Sequence, residues 1–166
     1  IGEETMNISI FNKKIIIKNE IIKLGSKNVD NDIMYIYGVN EEQARYLKEN
    51  FAVSSTRYAD INETIDIKLS DNEMITINQE DITKVVESRV EELLKLAKKQ
   101  INSLTNRKIS YIIVTGGITE LTGFSSVVEN TLGINATTLN DNIIGIRNNK
   151  LSSDAGIIKY YDKKME

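Results

Sequence analysis

The chain has 166 residues, of which 40% are hydrophobic and 27% charged, with a net charge of −3, no cysteine and no histidine. That is ordinary globular composition and enough length for a real core. It excludes disulfides, thiolate chemistry, a Ser-His-Asp triad and an imidazole base, and it offers no broad basic face for nucleic acid. Near the start, Met6, Ile8 and Ile10 alternate with Asn7 and Ser9, the period of a half-buried strand. Asn12 and Lys13 suit a turn. Residues 14–18 and 20–24 read as two further extended segments, a three-part meander that Gly25 ends. Residues 29–37 read as a helix stopped by Gly38. Asn40 and Gln43 form a capping-box pattern for a second helix running to Phe51.

Residues 52–63 lack a period and read as loop. Ile65, Ile67 and Leu69 alternate with Asp66 and Lys68, and residues 70–72 turn the chain into a return strand over 74–77. Asn78 then caps the longest helix. Its apolar positions, from Ile82 through Val86, Val90, Leu93, Leu94 and Ala97 to Leu104, recur at spacings of three and four. Glu87, Glu91 and Glu92 lie early and Lys95, Lys98 and Lys99 late, in line with the helix dipole. The charged side is a solvated face or a docking face for a partner.

The run Tyr111, Ile112, Ile113, Val114 predicts a strand buried on both faces. It enters Thr115, Gly116 and Gly117, and a helix over 124–132 follows, stopped by Gly133. Strand, double glycine and helix place a ligand site at the carboxyl end of a strand, or a tight turn with no ligand. Residues 134–139 read as a last strand, 140–151 as loop, and a final helix follows Ser152 or Ser153. No apolar run reaches the ~18–20 residues of a membrane span. The expectation is a cytoplasmic protein and, from the turn-like opening Ile1 to Thr5, an excerpt of a longer one.

The order of these motifs resembles the second half of the actin-like ATPases, and within them the FtsA family of bacterial cell-division proteins. Residues 1–10 resemble the family's second phosphate loop. Leu24-Gly25, Asn31-Asp32-Ile33 and the run 41–48 resemble an FtsA segment and its following helix. Residues 86–92 resemble the long helix, Val114-Thr115-Gly116-Gly117 the adenosine loop, and Ser153-Asp154-Ala155-Gly156 the last helix.

The resemblance implies an α/β fold: an actin-like (RNase-H-like) subdomain 2A from residues 1–25 and 96–166, with a smaller α+β subdomain 2B, residues 26–95, inserted in it. It implies ATP with Mg²⁺ held between this half and another half. The cofactor-binding positions carried over are Gly2, Glu3, Glu4, Thr5, Lys48, Gly116, Gly117 and Ile118; no catalytic residue is carried over. The first strand of the subdomain and the acidic residue before Ile1 have no counterpart here. Glu3 and Glu4 stand where the family has glycines, Asn7 where it has an acid, Ile118 where it often has a third glycine, and Arg45 where it has a glutamate. Two carboxylates in such a loop repel a phosphate. The implied partner is the C-terminal tail of the tubulin-like protein FtsZ, with Arg89 and Glu92 as its contacts. The implied place of action is the inner face of the membrane at the division site, reached through an amphipathic segment beyond Glu166. Self-association into filaments is also implied. The alternative is a nucleotide-binding lobe of another actin-like ATPase, such as the pilus assembly protein PilM.

Overall fold

A computed structural model describes residues 1–139. The final helix expected after Ser152, and with it the motif at Ser153 to Gly156, lies outside the described residues.

The chain opens with the loop Ile1 to Thr5 and strands β1 (Met6–Asn12) and β2 (Ile15–Ile22), which pair antiparallel. The expected three-part meander is instead one hairpin. Lys13 and Lys14 both take positive φ (49° and 70°), the turn that matches strand twist, so residues 15–22 run on as a single strand. Helices α1 (Lys27–Tyr37) and α2 (Glu41–Asn50) follow. The Asn40 side chain accepts from the Gln43 amide at 2.8 Å, and Gln43 Oε1 accepts from the Asn40 amide at 3.1 Å, which completes the capping box. Strands β3 (Thr64–Ser70) and β4 (Glu73–Asn78) form the second hairpin. Helix α3 (Gln79–Leu104) begins at Asn78, whose side chain accepts from the amides of Glu80 and Asp81. Strand β5 (Ile112–Val114), a 3₁₀ turn (Gly117–Glu120), helix α4 (Phe124–Leu132) and strand β6 (Ala136–Thr138), parallel to β5, complete the described chain.

Helix α3 is the axis of the molecule. Its residues Ile82, Val86, Val90, Leu93 and Leu94 lie in one core with Val29 and Ile33 of α1, Leu47 of α2, Ile67 and Ile77 of the second hairpin, and Phe124 and Val128 of α4. Ala97, further along, forms a second cluster with Met6 and Ile8 of β1. Strand β1 and helix α4, far apart in sequence, therefore meet on one helix.

Strands β1 and β5 do not share a ladder. A single sheet for the subdomain built from residues 1–25 and 96–166 would join residues 6–24 to 111–114; the described strands instead form three two-stranded ladders, β1 with β2, β3 with β4, and β5 with β6. A cavity of about 1160 Å³ separates β1 from β5, floored by Leu94, Ala97 and Ile101 of α3. Among the described residues, strand β5 carries its ladder on one edge only. Ile112 N–H and Val114 C=O both serve the β6 side, as bonds with Asn135 and Leu139. Alternation along the strand turns the polar groups of Ile113 and Thr115 the other way. There Thr115 C=O accepts from the Ile1 nitrogen at 2.6 Å. The expected burial of β5 on both faces also fails: Tyr111 is 69% and Ile113 47% exposed.

Candidate functional site

The loop Ile1 to Thr5 is seated by backbone contacts on both sides. The Gly2 N–H donates to Thr5 C=O at 2.8 Å, closing the turn. The Ser26 N–H donates to Gly2 C=O at 2.9 Å, and the Lys27 N–H to Glu3 C=O at 2.8 Å. The first amides of α1, which have no partner within their own helix, are thus satisfied by the loop. Gly25 permits this approach, since a Cβ there would stand 2.5 Å from both the Gly2 and the Glu3 carbonyl oxygens. On the other side Gly116 has φ 118°, and a Cβ on it would strike the Ile1 carbonyl. Both glycines serve chain against chain.

Around this loop the carried-over residues are placed as follows. Gly2, Glu3, Glu4 and Thr5 are exposed. Gly117 opens the 3₁₀ turn, which Thr119 braces by donating its hydroxyl to Gly116 C=O at 2.7 Å. Ile118 is buried in the main core. Lys48 is buried too: its Nζ lies 2.7 Å from Oδ1 of Asp30, whose side chain is 1% exposed. Oδ2 of Asp30 has no hydrogen-bond partner. Burial pushes the Asp30 carboxyl above its usual range, and the bond and charge of Lys48 pull the other way. Sequence reasoning missed Asp30. Its signal is an acid next to Val29 and three residues before Ile33, on the apolar stripe of α1.

Charge gathers over the loop as well. Arg45 Nη2 lies 2.5 Å from Glu3 and 3.6 Å from Glu41, and Lys27 Nζ lies 3.4 Å from Glu41 and 3.8 Å from Glu4. These residues do not fit a phosphate. Glu3 and Glu4 present carboxylates where an anion would approach, Lys48 is committed to Asp30, Arg45 to Glu3 and Glu41, and Ile118 faces the core. Among the described residues no group of three or more acidic, histidine or cysteine side chains could hold a metal ion.

The second expected site lies on α3. Arg89 is gripped bidentately by Asp32 of α1, Nε donating to Oδ2 at 2.6 Å and Nη2 to Oδ1 at 2.9 Å, while Nη1 donates to Glu92 at 2.7 Å. Arg89 and Glu92 are therefore bonded to each other, and Asp32 is a partner that the spacing of α3 did not reveal. Beside Asp32, at helical spacings of three and four, Tyr35 is 91% and Ile36 55% exposed. Two large exposed apolar side chains thus lie on the same helix as the carboxylate that holds the guanidinium.

The comparisons with known proteins come down on this architecture. The family described as cell division protein FtsA matches residues 1–156. The chain is 24% identical to the cell division protein FtsA of Bacillus subtilis (strain 168) over 162 residues, 96% of this chain and 37% of that protein. It is 27% identical to the FtsA of Buchnera aphidicola subsp. Baizongia pistaciae over 145 residues, 81% of this chain and 34% of that protein. It thus spans little more than a third of either relative.

Among solved structures, MreB5 of Spiroplasma citri bound to ADP matches with a TM-score of 0.74 at 17% identity, covering 99% of this chain and 52% of that one. The ethanolamine utilization protein EutJ from Carboxydothermus hydrogenoformans matches with 0.64 at 21% identity, covering 95% and 46%. The PilM-PilN type IV pilus biogenesis complex matches with 0.60 at 16% identity, covering 84% and 34%. These likenesses bear out the actin-like α/β fold. Among the described residues no helix is long and apolar enough to cross a membrane. With the family matched over nearly all of its length, the chain belongs to the FtsA family of cell division proteins.

Proposed function

We propose that this chain is the partner-docking part of an FtsA-like adaptor, one that binds the C-terminal tail of FtsZ and helps bring it to the division site at the inner face of the membrane. The supporting observation is the Arg89 cluster. The half-buried guanidinium is already held by Asp32 and Glu92, so an acidic peptide must displace one of them there, while the exposed Tyr35 and Ile36 of the same helix as Asp32 offer it apolar anchors. The tail carboxylate would replace Asp32 on the Arg89 fork, with Glu92 orienting its free edge.

The same reading divides the chain into an actin-like part, 1–25 with 96–166, and an inserted part, 26–95, joined through α3. ATP and Mg²⁺ belong, on this reading, to the complete relatives; this chain is not an active ATPase by itself, and filament formation is a property of the longer protein. The test is titration of an FtsZ tail peptide into the chain, followed by calorimetry. Wild-type binding that Arg89→Glu weakens about tenfold or more supports the site, and unchanged affinity in that variant removes Arg89 from it.

The second reading is a nucleotide-binding lobe of another actin-like ATPase, such as PilM. It is favoured by the likeness to the MreB5 of Spiroplasma citri bound to ADP and to the PilM-PilN complex. A thermal shift on adding ATP and Mg²⁺, with no response to the tail peptide, would select it.

A further inference from the structure

The ion pairs over the loop form one alternating series: Glu4, Lys27, Glu41, Arg45, Glu3. Each cation bridges two carboxylates from different elements. Lys27, at the start of α1, joins Glu4 of the loop to Glu41 of α2, and Arg45 joins Glu41 to Glu3 of the loop. The loop is thus held at two consecutive side chains. The same two elements meet through backbone, since Ser26 and Lys27 donate to the Gly2 and Glu3 carbonyls. A single exposed pair of this kind is weak, but a network with shared partners is cooperative. Glu3 and Arg45, both departures from the family pattern, are each other's partners.

We propose that this series is a charge clasp that keeps the loop closed on α1 and α2 with no anion bound, and that keeps phosphate away from the loop backbone. It accounts for the poor fit of these residues to ATP. It concerns the loop and is independent of docking at Arg89, so failure of either leaves the other standing.

The experiment is amide hydrogen exchange at Ser26 and Lys27, whose N–H groups report directly on loop seating. Glu3→Arg and Arg45→Glu should each speed exchange there by about threefold or more, and the double swap should restore it to within about twofold of wild type. Glu3→Gln, which only neutralises, should give an intermediate rate. Raising salt from about 0.05 to 0.5 M should speed exchange in the wild type and much less in Arg45→Glu. Unchanged rates in both single variants, or a double swap no slower than the singles, would overturn the clasp. A thermal shift of the wild-type chain on adding ATP with Mg²⁺ would overturn its role in excluding phosphate.

Discussion

Lys48 reaches Asp30 at 2.7 Å, with both side chains almost wholly out of water. The pair ties the last turn of α2 to the first turn of α1. Two charges taken from water cost as much as their attraction returns, so the pair secures orientation more than stability. Lys48→Met strands a buried carboxylate and should destabilise by about 3–5 kcal/mol, whereas Lys48→Met with Asp30→Leu should be close to neutral. Urea unfolding of the three proteins measures this.

Two carboxyls should give opposite pH signatures. Burial raises the Asp30 carboxyl above its ordinary value of 3.8 despite Lys48. The folded state then binds the proton more tightly than the unfolded one. Its contribution is full below 3.8 and is lost as pH rises through the raised value. Glu87 runs the other way. Burial would raise it, but hydrogen bonds from the Ser55 hydroxyl and from the Thr56 amide and hydroxyl outweigh that and lower it below 4.5. Its contribution is present above 4.5 and lost as pH falls through the lowered value. Melting curves of Glu87→Gln and wild type should therefore converge as pH drops from 7 towards 3, and curves that stay parallel would count against the Ser55–Thr56 bonds.

Gly116 is held at φ 118° and ψ 165°, a region open to glycine alone, with the Ile1 carbonyl against it. Gly116→Ala should cost about 1–3 kcal/mol from backbone strain, plus the displacement of the loop. That corresponds to a melting temperature lower by at least about 2–4 °C. Gly117→Ala is the control and should lower it less.

Arg89 and Asp32 should move partner affinity in opposite directions. Asp32→Asn weakens the internal grip on the guanidinium and should tighten binding of an acidic FtsZ tail peptide. Arg89→Glu should weaken it by roughly tenfold to a hundredfold, the worth of about 1.5–3 kcal/mol for a charged hydrogen bond. Surface plasmon resonance on the two variants checks both signs, and a loss in both would show that the Asp32 to Arg89 pair is needed intact.

Most elements were legible in the sequence because each rests on local chemistry. The Asn40 to Gln43 capping box, the Asn78 cap, the alternation at Ile65 and Ile67 and the apolar stripe of α3 need no distant partner to be recognised. The misreadings share a different cause. The turn at Lys13 and Lys14 carries no glycine or asparagine in its two central positions, so nothing in the composition announced one long β2. The apolar run at Tyr111 to Val114 suggested burial on both faces, but what stands on each face of a strand is decided by other elements.

The candidate site divides along the same line. By itself the sequence determined that Glu3 and Glu4 put negative charge into a loop, that Arg45 and Lys48 lie one turn apart on a capped helix, and that Arg89 and Glu92 share a helix face. Each is a statement about spacing along one element. Only the tertiary structure decided that Arg45 closes on Glu3, that Lys48 turns inward to Asp30, that Asp32 occupies the Arg89 fork, and that Gly116 makes room for Ile1. Those pairings span up to 115 positions. They come from packing α1, α2, the first hairpin and α4 around α3, and no local pattern encodes which charges that packing brings together.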